Sequence, residues 1–127
     1  MTLRRFLHAA FFLFFGFTLT PNLRAADTAA ERTKIEALIT HLEGLRDTTF
    51  VRNGSDYDSK TAAKFLRGKW QSNEKEIKTA ADFIAIAATR SSTSGKPYIV
   101  RRKGFKDILC AEYLTAQLKK LEAAKNE

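Results

Sequence analysis

A thiol, an imidazole, two glycine-containing polar segments and a pair of aspartates are the groups in this sequence that could do chemistry. Cys110 is the only cysteine, and beyond residue 25 His41 is the only histidine. A thiol nucleophile needs a base beside it. The residues around Cys110 match no nucleophile signature, and His41 lies next to Leu42 in a helical pattern, an ordinary surface or half-buried histidine. No catalytic residue is assigned. With no partner cysteine, an internal disulfide is ruled out, and Cys110 is expected to sit shielded as a small apolar residue. Gly95 and Lys96 suggest a phosphate loop, but that pattern needs glycine at 90 and Ser or Thr at 97. Arg90 and Pro97 stand there. Asp56 and Asp58 are not followed by the glycine and glutamate of a calcium loop. They read as turn and helix-cap residues, so neither metal nor cofactor is expected. Asn53-Gly54-Ser55 is formally a glycosylation sequon and reads as a turn.

Two segments hold more polar groups than a connection requires. One contributes Arg52, Asn53, Gly54 and Tyr57; the other contributes Ser91, Ser92, Ser94, Gly95, Lys96 and Tyr98. Hydroxyls, the amides near Gly95 and Lys96 suit an anion-binding nest. Arg52 and Arg67 suit bidentate recognition of a carboxylate or phosphate. The same residue types also close turns and pin loops together without any ligand. Residues 50–52 and 98–100 are short β-type stretches, and an isolated strand needs a partner for its backbone. Pairing them would put both polar segments at one end of a small sheet. Gly54 and Gly95 would then allow close backbone approach, and Arg52 and Lys96 could face a common acidic ligand or a carboxylate such as Asp56.

The elements that must position these groups follow from periodicity. Thr28 and Glu31 have capping-box spacing and precede a helical stripe of Ile35, Leu38, Ile39, Leu42 and Leu45. Residues 48–52 are β-rich, and Asn53-Gly54 ends them as a turn. Asp58 or Ser59 can cap a second helix carrying Ala62, Ala63, Phe65, Leu66 and Trp70. Thr79 and Asp82 repeat the capping pattern ahead of Phe83, Ile84, Ile86 and Ala87. Residues 91–97 read as loop, 98–100 as strand, Lys103-Gly104 as a tight turn and 105–108 as a return strand. A last helix carries Tyr113, Leu114, Leu118 and Leu121. The expected fold is α+β and mostly helical, with about four helices and a small antiparallel sheet of two or three short strands.

The N-terminus bears on location. Arg4 and Arg5 precede an apolar run over residues 6–20 with phenylalanine at 6, 11, 12, 14, 15 and 17, then Pro21 and the small residues Ala25, Ala26 and Ala29. This is the order of a secretory signal. The run falls short of the roughly 20 residues that span a bilayer, which favours a signal over an anchor. The reading is a signal peptide over 1–25, cleaved after Ala25, and one globular domain over 26–127, with no membrane span after cleavage. The whole chain carries a net charge of +8; the leader holds three arginines and no acid, leaving 19 basic and 14 acidic residues in the remaining 102, net +5. Export, mixed charge and few remaining aromatics argue against nucleic acid as a partner.

Phe50 through Gly54, Tyr57, Ala62, Phe65-Leu66-Arg67 and Lys69-Trp70, then residues 79–84 and the 91–98 run, occur in an order that resembles the YfeK-like family of small exported bacterial proteins. The resemblance covers about residues 30–122. It departs at Phe65, where the family pattern implies histidine, and at Cys110, where a capping serine would fit. It implies a Gram-negative envelope protein and transfers no activity, ligand or catalytic residue. The expected function is that of a periplasmic, non-enzymatic binding module for an envelope protein or small anionic ligand; the alternative is a hydrolase with an unrecognised site.

Overall fold

The computed structural model describes residues 23–127. The leader expected over 1–25 lies outside them except for its last three residues. The chain runs as α1 (Leu23–Glu43), β1 (Thr48–Arg52), β2 (Ser55–Tyr57), α2 (Ser59–Ser72), α3 (Ala80–Ala87), β3 (Ile99–Arg102), β4 (Ile108–Leu109) and α4 (Cys110–Ala124). The strands form one antiparallel sheet in the order β2-β1-β3-β4. The α+β class and the four helices are as expected; the sheet has four strands rather than two or three.

The extra strand is β2, whose Ser-Asp-Tyr sequence carries little β-propensity of its own. It forms because Asn53 and Gly54 both take positive φ, 52° and 74°, the geometry of a type I′ turn that folds a strand straight back on its neighbour. Arg52 therefore pairs with Ser55 and Phe50 with Tyr57. The return strand expected over 105–108 shrinks to Ile108–Leu109. The Phe105 amide instead closes a turn onto the Arg102 carbonyl at 3.0 Å, and the Lys103 amide reaches Asp47 at 3.0 Å.

Helix boundaries show which caps are real. Asp58 caps α2, its carboxylate accepting from the Thr61 amide at 2.7 Å. Thr79 and Asp82 form the reciprocal capping box of α3, with bonds of 3.0 and 3.1 Å. The box expected at Thr28 and Glu31 does not start α1, which already runs from Leu23. Glu31 serves another helix: it accepts from the Ala80 amide in the first turn of α3 at 2.7 Å while holding Lys34 at 2.8 Å. The α4 N-terminus has no side-chain cap. Its first amide, on Cys110, donates to the Tyr98 carbonyl at 2.9 Å, so backbone just ahead of β3 satisfies it without a side-chain cap.

The core lies between one sheet face and the helices. Phe50 and Val100 are cross-strand partners, both buried, and pack with Ile35, Leu38, Ile39 and Leu42 of α1, Leu66 of α2, Phe83 of α3 and Leu114 of α4. Strand alternation sends Thr49, Val51, Asp56, Ile99, Arg101 and Leu109 to the other face, where all are half-buried or exposed. Ile86, expected on the apolar stripe of α3, is 38% exposed.

Candidate functional site

The two polar segments meet at one end of the sheet. The register Phe50↔Val100 and Val51↔Ile99 carries the β1–β2 turn and the chain entering β3 to the same edge. The loop before β3 is closed by its own backbone: Arg90 bridges Pro97, the Ser91 amide donates to the Lys96 carbonyl at 2.9 Å, and the Gly95 amide to the Ser91 carbonyl at 3.0 Å. Ser91 is buried, and its hydroxyl accepts from the Thr93 amide at 3.3 Å and bonds the Thr93 hydroxyl at 2.9 Å. The Ser94 hydroxyl donates to the Asn53 side-chain oxygen across 41 residues of sequence and accepts from the Lys96 amide at 3.2 Å. Ser92 and Lys96 project from this frame, exposed. The glycines serve conformation rather than close approach. Gly54 and Gly95 hold φ of 74° and 70°, yet a Cβ on either would meet nothing within 4 Å.

Helix α2 supplies the adjoining wall. Phe65 and Lys69 are four residues apart and share a face. The Arg52 guanidinium lies over the Phe65 ring at 4.6 Å, and Tyr57 meets that ring edge-on at 5.0 Å. Lys69 lies over the Tyr98 ring at 4.9 Å and donates to the Arg90 carbonyl at 2.8 Å and the Tyr98 hydroxyl at 3.1 Å. Tyr98 is buried against Phe50, 5.1 Å between ring centres. Phe65 thus gives the Arg52 cation an aromatic platform. The sequence expectation leaves out Lys69, whose i,i+4 spacing from Phe65 is the signal that points to it.

Two expected members lie elsewhere. Arg67 is two residues from both Phe65 and Lys69, about 200° around the helix, and faces α1. There it donates to Glu43 at 2.9 Å and Glu36 at 3.0 Å, and these bonds, Glu43 first, raise its already high pKa. Asp56 is no partner for Arg52 or Lys96. It pairs with Val51 in the ladder, on the opposite sheet face from Arg52, and lies 3.7 Å from Arg101. Arg52, Lys69 and Lys96 have no ion pair among the described residues.

No thiol–imidazole pair forms. Cys110 is fully buried, and desolvation pushes its pKa up to about 12. His41 Nε2 lies 2.7 Å from the Tyr113 hydroxyl, with the rings stacked at 5.8 Å. Partial burial, with Lys120 and Arg102 nearby, lowers its pKa. Arg102 packs over Phe105 at 4.3 Å and Tyr113 at 5.0 Å, and its buried Nε has no hydrogen-bond partner. Among the described residues no three metal-ligating side chains cluster, and no helix is long and apolar enough to cross a membrane. A cleft of about 410 Å³ opens where α1 meets α2, lined by Arg32, Glu36, Arg67, Trp70, Gln71 and Glu74. The loop cluster offers cations, hydroxyls and amides to an anion.

The described residues thus form a four-helix α+β domain whose helices cover one face of a β2-β1-β3-β4 sheet, with the 52–54 turn and the 91–97 loop at one end of it. The chain belongs to DUF5329, a family of unknown function, which it matches over residues 29–122. It is 40% identical over 70 residues to a Salmonella typhimurium (strain LT2) protein named Uncharacterized protein YfeK; the alignment covers 55% of this chain and 58% of that relative, a little over half of each. No solved structure matches.

Proposed function

We propose that this protein is an exported, non-enzymatic binding module of the bacterial envelope, and that its face is formed by Arg52, Asn53, Gly54, Tyr57, Lys69 and residues 91–98. Its ligand bears a carboxylate or phosphate, free or displayed by an envelope partner. The observation carrying this reading is the pairing of cations with rings instead of carboxylates. Arg52 rests on Phe65 and Lys69 on Tyr98, beside the Asn53–Ser94 link that fixes the two segments together. A cation held on a ring keeps its charge available, because no carboxylate neutralises it. The order of charged, apolar and small residues at the N-terminus supports export. The hydrolase reading requires a base beside a nucleophile, and no observation favours it.

The test is a titration of the purified protein with citrate, inorganic phosphate and an acidic peptide, followed by amide chemical shifts. Saturable shifts are expected at residues 52–54 and 91–96. Arg52→Ala with Lys96→Ala should weaken binding by about tenfold or more while the melting transition stays in place. Shifts scattered over the surface, or unchanged affinity in the double variant, would remove this face from the proposal. Intact mass of the protein from an envelope fraction tests export, with a new N-terminus near Ala26 expected; a full-length chain in the membrane would show that the leader is an anchor.

A further inference from the structure

The α1–α2 cleft lies apart from the loop cluster and holds a geometry that the proposed face does not use. Trp70 forms its floor. The Arg32 guanidinium lies over the indole, 5.3 Å from the ring centre, and donates to Glu74 Oε1 at 3.2 Å. A cation on an indole face with a carboxylate at its edge is how proteins hold guanidinium and ammonium groups. Here the occupant is the protein's own side chain. The remaining wall carries Glu36, which is anchored by Arg67, itself neutralised by Glu36 and Glu43 together. With Arg32 in place the cleft still has about 410 Å³ of space.

The hold on Arg32 is weak in kind. The side chains of Arg32 and Glu74 are 56% and 64% exposed. An exposed pair of long side chains gains little from its Coulomb energy and loses rotamer freedom to form. A ligand cation that brings its own ordered framework can replace it. Once Arg32 swings out to solvent, an indole face flanked by Glu74 and Glu36 is left. The net positive charge of the chain works against a cationic ligand at long range, but salt screens that field within about 10 Å, and the carboxylates act at contact.

We infer that this cleft binds an organic cation through a guanidinium or ammonium group, and that Arg32 is the internal stand-in for it. Trp70 is the floor, Glu74 and Glu36 are the charge partners, and Arg67 fixes Glu36. The cation comes either as a small free molecule or as an arginine or lysine side chain of a peptide.

Trp70 is the only tryptophan, so its fluorescence reports the site directly. The native protein and Arg32→Ala are titrated with N-acetyl-arginine amide, with a tetrapeptide holding arginine at its second position, and with the neutral isostere N-acetyl-citrulline amide. Both cations should give saturable changes and citrulline none. Removing the stand-in should tighten cation binding by about tenfold, and adding Glu74→Gln to Arg32→Ala should reverse that gain. Equal affinity for the amide and the peptide indicates a free cation; a tighter peptide indicates a partner's side chain. Arg32→Ala should melt with the native protein, because an exposed pair adds little stability; Arg32→Gln, which keeps the stem, serves if it does not. No saturable change in either Arg32 variant, or equal binding of citrulline, overturns the inference.

Discussion

The Cys110 thiol sits in the first turn of α4 with no exposed surface, and desolvation raises its pKa to about 12. Thiolate is the reacting species, so native maleimide labelling should be very slow and become fast in denaturant. Rapid native labelling would show that α4 opens at its start. The His41 pKa shifts the other way, because partial burial and then the charges of Lys120 and Arg102 disfavour its charged form and hold it below 6.5. The unfolded chain therefore binds a proton at a pH where the folded chain does not, and stability rises with pH across that interval. The contribution is complete above about 6.5 and is lost as the pH falls toward the folded pKa. His41→Gln should flatten this part of a pH–stability curve; an unchanged slope would assign it to other groups. Arg52 and Arg67 show how little a residue's type reveals about its surroundings. One is stacked on Phe65, the other bonded to two glutamates.

Among the elements, the β1–β2 hairpin depends most on a single backbone conformation. Gly54 at φ 74° has open space where a Cβ would go, so Gly54→Ala should cost about 1 kcal/mol from left-handed strain alone. Gly68 in α2 also has open space but ordinary helical φ. Gly68→Ala should stabilise by roughly 0.5–1 kcal/mol by removing helix-interior glycine. Opposite signs in the two urea midpoints are expected, and equal signs would show that the turn is not held in its I′ form. The same hairpin carries Asn53 to Ser94, so its geometry also sets the loop cluster. Helix α3 is held at its start from two directions, by the Thr79–Asp82 box and by Glu31 of α1. The bonds from the Lys78 and Thr79 amides keep the Asp82 carboxyl below its usual range.

For the molecule as a whole, one core joins sheet and helices, and Phe50 lies at its centre on β1, in contact with Tyr98 and opposite Val100. Phe50→Ala should cost about 3–5 kcal/mol, the price of a large cavity in a packed interior. That loss is a large fraction of the 5–15 kcal/mol that holds a typical domain, so the variant should melt far below the native protein. A shift of only a few degrees would mean that the site collapses around the smaller side chain. The two candidate surfaces are separate in this frame: the loop cluster is at the β1–β3 end with one face of α2, and the cation cleft is on the other face of α2 against α1. Helix α2 supplies both, through Phe65 and Lys69 on one side and Arg67 and Trp70 on the other.

Features governed by local chemistry are readable from the residues alone. Apolar periodicity marked the buried stripe of α1, Asp58 and Thr79 marked helix starts, and Asn53-Gly54 marked the turn, because each acts within one helical turn or one hairpin. The pairing of residues 50–52 with 98–100 was also legible, since short strands cannot leave their backbone groups unpaired. The family motifs were legible as an ordered set of residues. Tertiary structure decided what depends on rotation and register. Only the turn of α2 set Arg67 toward α1 and Lys69 toward Tyr98. Only the β1–β2 ladder put Asp56 on the face away from Arg52. Glu31 shows the same physics at a helix end. Its sequence spacing fits a cap of its own helix, but a capping carboxylate needs only an orphan amide within reach, and packing brought Ala80 of α3 to it.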